Sequence, residues 1–184
     1  MNVGFDLDKI FIEYPFFIPD FVIDRTYKII FENSFIYRIP SKPEQFFRLL
    51  LHYPIFRQPI SKNIEFVKNI SKKNADNYFL ISGRFGFLKN RTDQIIKKYE
   101  LDKIFKEIFI NYHNEQPHVF KSNLIKKLKI DKYVDDDFYL LKYTAEQNPK
   151  TKFFWLNNKV SKPLGKNLYA IKNISEMFTP LSVV

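Results

Sequence analysis

A three-layer α/β fold around a mainly parallel central sheet of about five strands is what the 184-residue sequence predicts. Three observations predict it. Beyond residue 60, apolar runs of three to five residues alternate with stretches of helical spacing, the rhythm of βαβ units. Within each run, successive residues rather than alternate ones are apolar, as in strands covered on both faces. Several runs end in an acid, a hydroxyl or an amide, where a parallel sheet opens its ligand crevice.

The first run is Val3-Gly4-Phe5-Asp6-Leu7, a buried strand that ends in acid. Tyr78-Phe79-Leu80-Ile81 follows and closes on Ser82-Gly83-Arg84. Ile108-Phe109-Ile110 closes on Asn111, and Lys132-Tyr133-Val134 on Asp135-Asp136-Asp137. Phe153-Phe154-Trp155-Leu156 is the fifth, and Leu168-Tyr169-Ala170-Ile171 reads as an edge strand or a return loop. Helical patterns lie between them. Ser61 is placed to cap a helix carrying Ile64, Val67 and Ile70 on one face. Ile95, Ile96 and Tyr99 mark a second helix. Phe120, Leu124 and Leu128 form a stripe in a third, and Leu140, Leu141 and Thr144 mark a fourth. Asp136 or Asp137 is expected to cap the last, where negative charge is favoured.

Residues 12–59 break this rhythm, with six of the ten prolines and many aromatics. Ser41-Lys42-Pro43-Glu44 reads as a capping box with proline just inside a helix, continued by Phe46, Leu49, Leu50 and Tyr53. Ile23, Tyr27, Ile30 and Phe31 suggest an earlier helix. The segment is expected to be a small helical cap inserted after the first strand, over a core of residues 1–11 and 60–184. Phe16, Phe17, Phe21, Phe46 and Phe47 are its expected core. Arg38, Arg48 and Arg57 among those aromatics suit stacking on a base or holding a phosphate.

Composition excludes several chemistries. With no cysteine there is no disulfide scaffold, thiolate catalysis or cysteine zinc site, which fits a cytoplasmic location. His52, His113 and His118 form no metal motif, since Pro117 interrupts the five-residue spacing of the last two. No signal peptide is expected, and Tyr14–Ile23, the most apolar stretch, is too short for a membrane span. The formal charge of +10 favours anionic partners in general. Its lysines are scattered, as on a solvated surface.

Asp6, Asp8, Ser82, Asp135 and Asp136 all fall at carboxyl ends of predicted strands. If the first strand is central, these side chains meet in one crevice. Carboxylates gathered there repel unless a cation holds them. Oxygen ligands without His or Cys favour Mg²⁺, which keeps positions open for water and phosphate. Ser82 and a lysine would take the remaining phosphate oxygens, and Lys121, early in its helix, is placed for that. A transferring phosphoryl group needs such charge stabilisation.

In these residues the chain resembles the haloacid dehalogenase (HAD) superfamily of phosphatases. Four motifs carry the resemblance: Phe5-Asp6-Leu7-Asp8-Lys9-Ile10, then Leu80-Ile81-Ser82-Gly83-Arg84, then Lys121 within His118-Val119-Phe120-Lys121-Ser122, then Tyr133-Val134-Asp135-Asp136. It implies a Rossmann-like core with Asp6 as the nucleophile that forms an aspartyl phosphate and Asp8 as general acid, then base. It implies Mg²⁺ held by the Asp6 carboxylate, the Asp8 carbonyl and Asp135, with Asp136 acting through water or as an alternative ligand. Ser82, Gly83, Lys121 and Arg84 would bind phosphate. Lys9 stands where the family usually places glycine, and Ile10 where Thr or Val is common.

The expected function is therefore a Mg²⁺-dependent phosphatase of a small organic phosphomonoester, a nucleotide among the candidates. The alternative is a non-catalytic HAD-like fold that binds RNA or another polyanion through its basic, aromatic surface.

Overall fold

The computed structural model describes residues 1–15, 28–30, 35–157, 159 and 161–179, with the backbone alone for residues 28–30 and 35. Strands β1 (Asn2–Phe5), β4 (Asn77–Ser82), β5 (Glu107–Ile110), β6 (Lys132–Asp135), β7 (Lys152–Leu156), β8 (Lys162–Pro163) and β9 (Leu168–Ile171) form one sheet. Their order is β5-β4-β1-β6-β7-β9-β8, and all neighbours are parallel except β8 and β9. The sheet is thus two strands wider than the five first expected. Leu168–Ile171 continues the parallel order, and the two-residue β8 forms the edge.

Strict alternation along the strands builds two cores. Val3, Phe5, Tyr78, Leu80, Val134 and Phe154 face one side, against Val67 of helix α2 (Ser61–Lys73) and Ile95 of α3 (Lys89–Lys98). Phe79, Ile81, Tyr133 and Phe153 face the other, against Ile125 of α4 (Pro117–Lys127) and Leu141 of α5 (Phe138–Gln147). This is the three-layer sandwich. Gly4 has a packing reason: a Cβ there would lie 2.7 Å from Cδ2 of the Tyr133 ring, closer than van der Waals contact allows.

β1 stops at Phe5 rather than Leu7. The Asp6 amide still donates to the Val134 carbonyl at 3.0 Å, and the chain then turns through Lys9 at φ 59°. That left-handed backbone suits glycine, and carrying it on a lysine costs about 1–2 kcal/mol. Ser61 opens α2 as its first residue instead of capping it; the cap position is Ile60, which offers no side-chain acceptor. Asp137 does cap α5, its carboxylate accepting from the Leu140 amide at 3.2 Å. In α4 the buried face is Pro117, Lys121, Ser122 and Ile125, so the apolar stripe of Phe120, Leu124 and Leu128 lies at its flank.

In the insertion, helix α1 (Lys42–Leu51) forms where the capping box predicts it. The Glu44 carboxylate accepts from the Ser41 amide at 2.7 Å and its hydroxyl at 2.8 Å, and also pairs with Arg38. Residues Lys28–Ile30 form strand β2, antiparallel to β3 (Phe35–Tyr37), so Ile30 is not helical. Ile23, Tyr27 and Phe31 of that expected helix lie outside the described residues, as do Phe16, Phe17 and Phe21. Phe46 and Phe47 are 62% and 67% exposed, while Arg48 and His52 are buried. At this end of the helix Arg48 and His52 thus lie inward, and His52 lines the cavity that holds Asp6 and Asp8. Among the described residues no helix is long and apolar enough to cross a membrane.

Candidate active site

The strand order reverses at β1 and β6: the chain leaves β1 toward β4 and β5, and leaves β6 toward β7. Such a switch point leaves a crevice at the carboxyl ends of the two strands. Asp6 follows β1 and Asp135 ends β6, so the topology delivers both acids to that crevice. One ligand oxygen from each of Asp6, Asp135 and Asp136 lies within 4.8 Å of the others. Asp6 and Asp135 are 5% and 1% exposed.

Lys121 enters from the first turns of α4. Its Nζ donates to Asp6 Oδ1 at 2.6 Å and to Asp135 Oδ2 at 2.7 Å. Burial alone would lower its pKa, but Asp135 and Asp6 outweigh that and keep it protonated, well above the usual lysine range. Burial pushes Asp6 up to about 7, against the pull of Lys121 and with the push of Asp135 and Asp8. Burial, then Asp135 and Asp6, also drives Asp136 well above the ordinary carboxylate range. Three ionised carboxylates would exceed what one ammonium balances, so without a further cation protons take up the difference.

The Asp6 and Asp135 carboxylates are aimed by their neighbours. The Asp8 amide donates to Asp6 Oδ2 at 3.0 Å, and the Asp137 amide to Asp135 Oδ1 at 3.0 Å. The Tyr133 hydroxyl lies 3.2 Å from Asp135 Oδ2 and from the Ile81 carbonyl. Trp155 Nε1 donates to the Asp136 carbonyl at 2.9 Å. Ser82, at the end of β4, is 1% exposed and lines the same cavity with Gly83. A Cβ on Gly83 would meet Pro117 Cβ at 2.9 Å, so glycine lets β4 close onto the start of α4 beside Lys121.

Asp8 sits differently. Its carboxylate is gripped by Arg84, with Nε to Oδ2 at 2.8 Å and Nη2 to Oδ1 at 2.6 Å, and by Arg57 Nη2. Both arginines are buried, at 7% and 1% exposure. Burial would raise the Asp8 pKa; Arg84 and Arg57 overturn that and hold it well below the usual carboxylate range. Arg84 thus meets Asp8 and, through Nη1, the Thr92 hydroxyl at 3.3 Å, while Lys121 pairs Asp6 and Asp135. Lys9 reaches Glu13 at 3.3 Å and the Tyr14 ring.

The cavity, of about 140 Å³, therefore brings together Asp6, Asp8, Ser82, Gly83, Arg84, Lys121, Asp135 and Asp136. Tyr14, Tyr37 and His52 line it from the insertion. Burial, with the cations Arg57 and Arg84 beside it, lowers the His52 pKa well below the usual histidine value, so the ring is neutral. Sequence reasoning missed the approach of Arg57, Tyr37 and His52 to the acids. Arginine among aromatics was the one visible hint, and it did not name Asp8 as the partner.

The donor set fits a magnesium ion. Three carboxylates supply hard oxygen ligands, and keeping all three ionised takes a cation beyond Lys121. Asp6, Asp135 and Asp136 would hold it.

No family model matches the chain, and no curated protein sequence does. Solved structures do. A HAD-superfamily hydrolase from Ehrlichia chaffeensis aligns over 96% of this chain and 93% of its own, at 16% identity and a TM-score of 0.54. A HAD-family enzyme from Bacteroides thetaiotaomicron, solved as a mutant with magnesium and inorganic phosphate, aligns over 97% and 98% at 11% identity and 0.56. A haloacid dehalogenase-like hydrolase from Streptococcus pneumoniae aligns over 85% and 84% at 10% identity and 0.55. The fold of this chain is HAD-like.

Proposed function

We propose that this chain is a Mg²⁺-dependent phosphatase that cleaves a small organic phosphomonoester through an aspartyl phosphate on Asp6. One observation carries it: three carboxylates lie within 4.8 Å of one another at the switch point of a HAD-like sheet, with the Lys121 ammonium between two of them. A bound Mg²⁺ would supply charge neutralisation for the phosphoryl oxygens.

The residues divide the work. Asp6 is the nucleophile, held by the Asp8 amide at Oδ2 so that Oδ1 faces Lys121. Lys121 and the Ser82 hydroxyl receive the phosphoryl oxygens, with Gly83 leaving room for them. Asp8 serves as the base that takes a proton from the attacking water in the second step. It is ionised beside Arg57 and Arg84, but that pairing also weakens it as a base, so this step too needs the guanidiniums to let go. Donating a proton to the leaving oxygen requires Asp8 to be released from those guanidiniums. Arg57, Arg84 and Lys121 direct their charge to internal carboxylates rather than to an outer surface, which disfavours the polyanion-binding alternative.

The test is phosphate release from p-nitrophenyl phosphate with Mg²⁺. Chelation should abolish it, and Asp6→Asn should lower kcat/KM by at least about a thousandfold. Turnover that survives Asp6→Asn removes Asp6 from the nucleophile role.

A further inference from the structure

Beside the acid end of the cavity lies a wall of different chemistry. Tyr37, Phe85 and Leu140 are 7%, 4% and 2% exposed and form a small apolar cluster separate from the two sheet cores, with Phe87 packed against it. All four line the cavity that holds Asp6 and Lys121. Phe85 and Phe87 come from the loop after β4, Leu140 from the first turn of α5, and Tyr37 from the insertion.

Tyr37 is fixed rather than merely near. Its amide donates to Gln116 Oε1 at 3.0 Å, and Gln116 Nε2 donates back to its carbonyl at 3.2 Å. Its hydroxyl donates to Asp137, and its ring stacks on His118 at 6.1 Å and 27°. With the hydroxyl committed to Asp137, the residue offers the cavity an aromatic surface. Arg84, the cation on this side, has its fork on Asp8. A sugar or a second phosphate would meet rings and methyl groups here, at the full cost of stripping its water.

We propose that the leaving group is a small apolar or aromatic moiety seated against Tyr37, Phe85 and Leu140, and that nucleotides are not substrates. This rests on the phosphatase function above, and the test separates the two. Hydrolysis with Mg²⁺ is measured for p-nitrophenyl phosphate, benzyl phosphate, glycerol 3-phosphate and AMP. Binding of benzylphosphonate and methylphosphonate, which are not hydrolysed, is measured by calorimetry on the full chain. Benzyl phosphate should exceed glycerol 3-phosphate in kcat/KM by about tenfold or more, with AMP lowest. Benzylphosphonate should bind about tenfold tighter than methylphosphonate. Leu140→Ala, or Phe87→Ala where the first does not fold, should shrink both ratios severalfold while leaving methylphosphonate affinity unchanged. Equal phosphonate affinities, or AMP turned over as well as benzyl phosphate, overturn the subsite even if p-nitrophenyl phosphate is cleaved. A tenfold phosphonate preference sensitive to Leu140, with no ester hydrolysed, upholds the subsite and sinks the phosphatase function alone.

Discussion

Lys121 Nζ lies 2.6 Å from Asp6 Oδ1, 115 residues away in the chain, and the same ammonium reaches Asp135 at 2.7 Å. This pairing holds two buried like charges together. Removing the ammonium leaves them uncompensated, which costs about 3–5 kcal/mol in buried pairs. Lys121→Met should therefore unfold at markedly lower urea without metal, and adding Mg²⁺ should restore stability more in the variant than in the wild type. Urea midpoints with and without Mg²⁺ check this; equal Mg²⁺ gains in both proteins would count against a metal at these carboxylates.

Asp8 couples two arginines that the chain brings from opposite sides of α2, at positions 57 and 84. Both act through one carboxylate, so their effects should not add. Arg57→Met and Arg84→Met should each cost about 1–3 kcal/mol by leaving buried hydrogen bonds unmade. Asp8→Asn should cost less in the Arg57→Met background than in the wild type, by about 0.5–3 kcal/mol. Arg84→Lys should resemble Arg84→Met, because an ammonium lacks the fork that spans both carboxylate oxygens. A double-mutant cycle from denaturant curves reads these values.

His52 is buried and its pKa is lowered, first by burial and then by Arg57 and Arg84. The unfolded chain binds a proton at the ordinary value near 6.5 while the folded chain does not, so stability is lost as pH falls below that value. One pH unit below it, the loss from this residue is about 1.4 kcal/mol. Asp6 and Asp136, whose carboxyl pKa values are raised in the folded protein, gain stability over the same range, so the His52 loss is read by difference: between pH 7.5 and 5.5 the urea midpoint should change less favourably in the wild type than in His52→Gln.

Gly4→Ala should be harmful in spite of its small size. The new Cβ would strike the Tyr133 ring, whose hydroxyl lies 3.2 Å from Asp135. Overpacking of this kind costs about 1–3 kcal/mol. Because the ring must move, activity should fall together with thermal stability. A variant with wild-type melting and turnover would show that the strand relaxes instead.

Much of the site was readable because its residues sit at strand ends. Asp6, Ser82 and Asp135 each close an apolar run, and the parallel-sheet rule sends such residues to one crevice. Lys121 was readable from its place near the start of a helix. The inward face of α1 was not readable. Phe46 and Phe47 have the polarity of core residues, yet they face solvent while Arg48 and His52 are buried. Burial follows the surroundings an element meets, and here His52 meets the cavity that holds Asp6 and Asp8.

By itself the sequence determined the order of strands and helices along most of the core and the acids that follow β1 and β6, since apolar period and strand-end chemistry are local properties of the chain. Only the tertiary structure decided that Arg57 clamps Asp8 and that Tyr37 binds Asp137, across 49 and 100 residues respectively. A guanidinium or a phenol hydroxyl takes whichever acceptor packing brings within about 3 Å, and that distance is set by the tertiary packing of segments far apart in the chain.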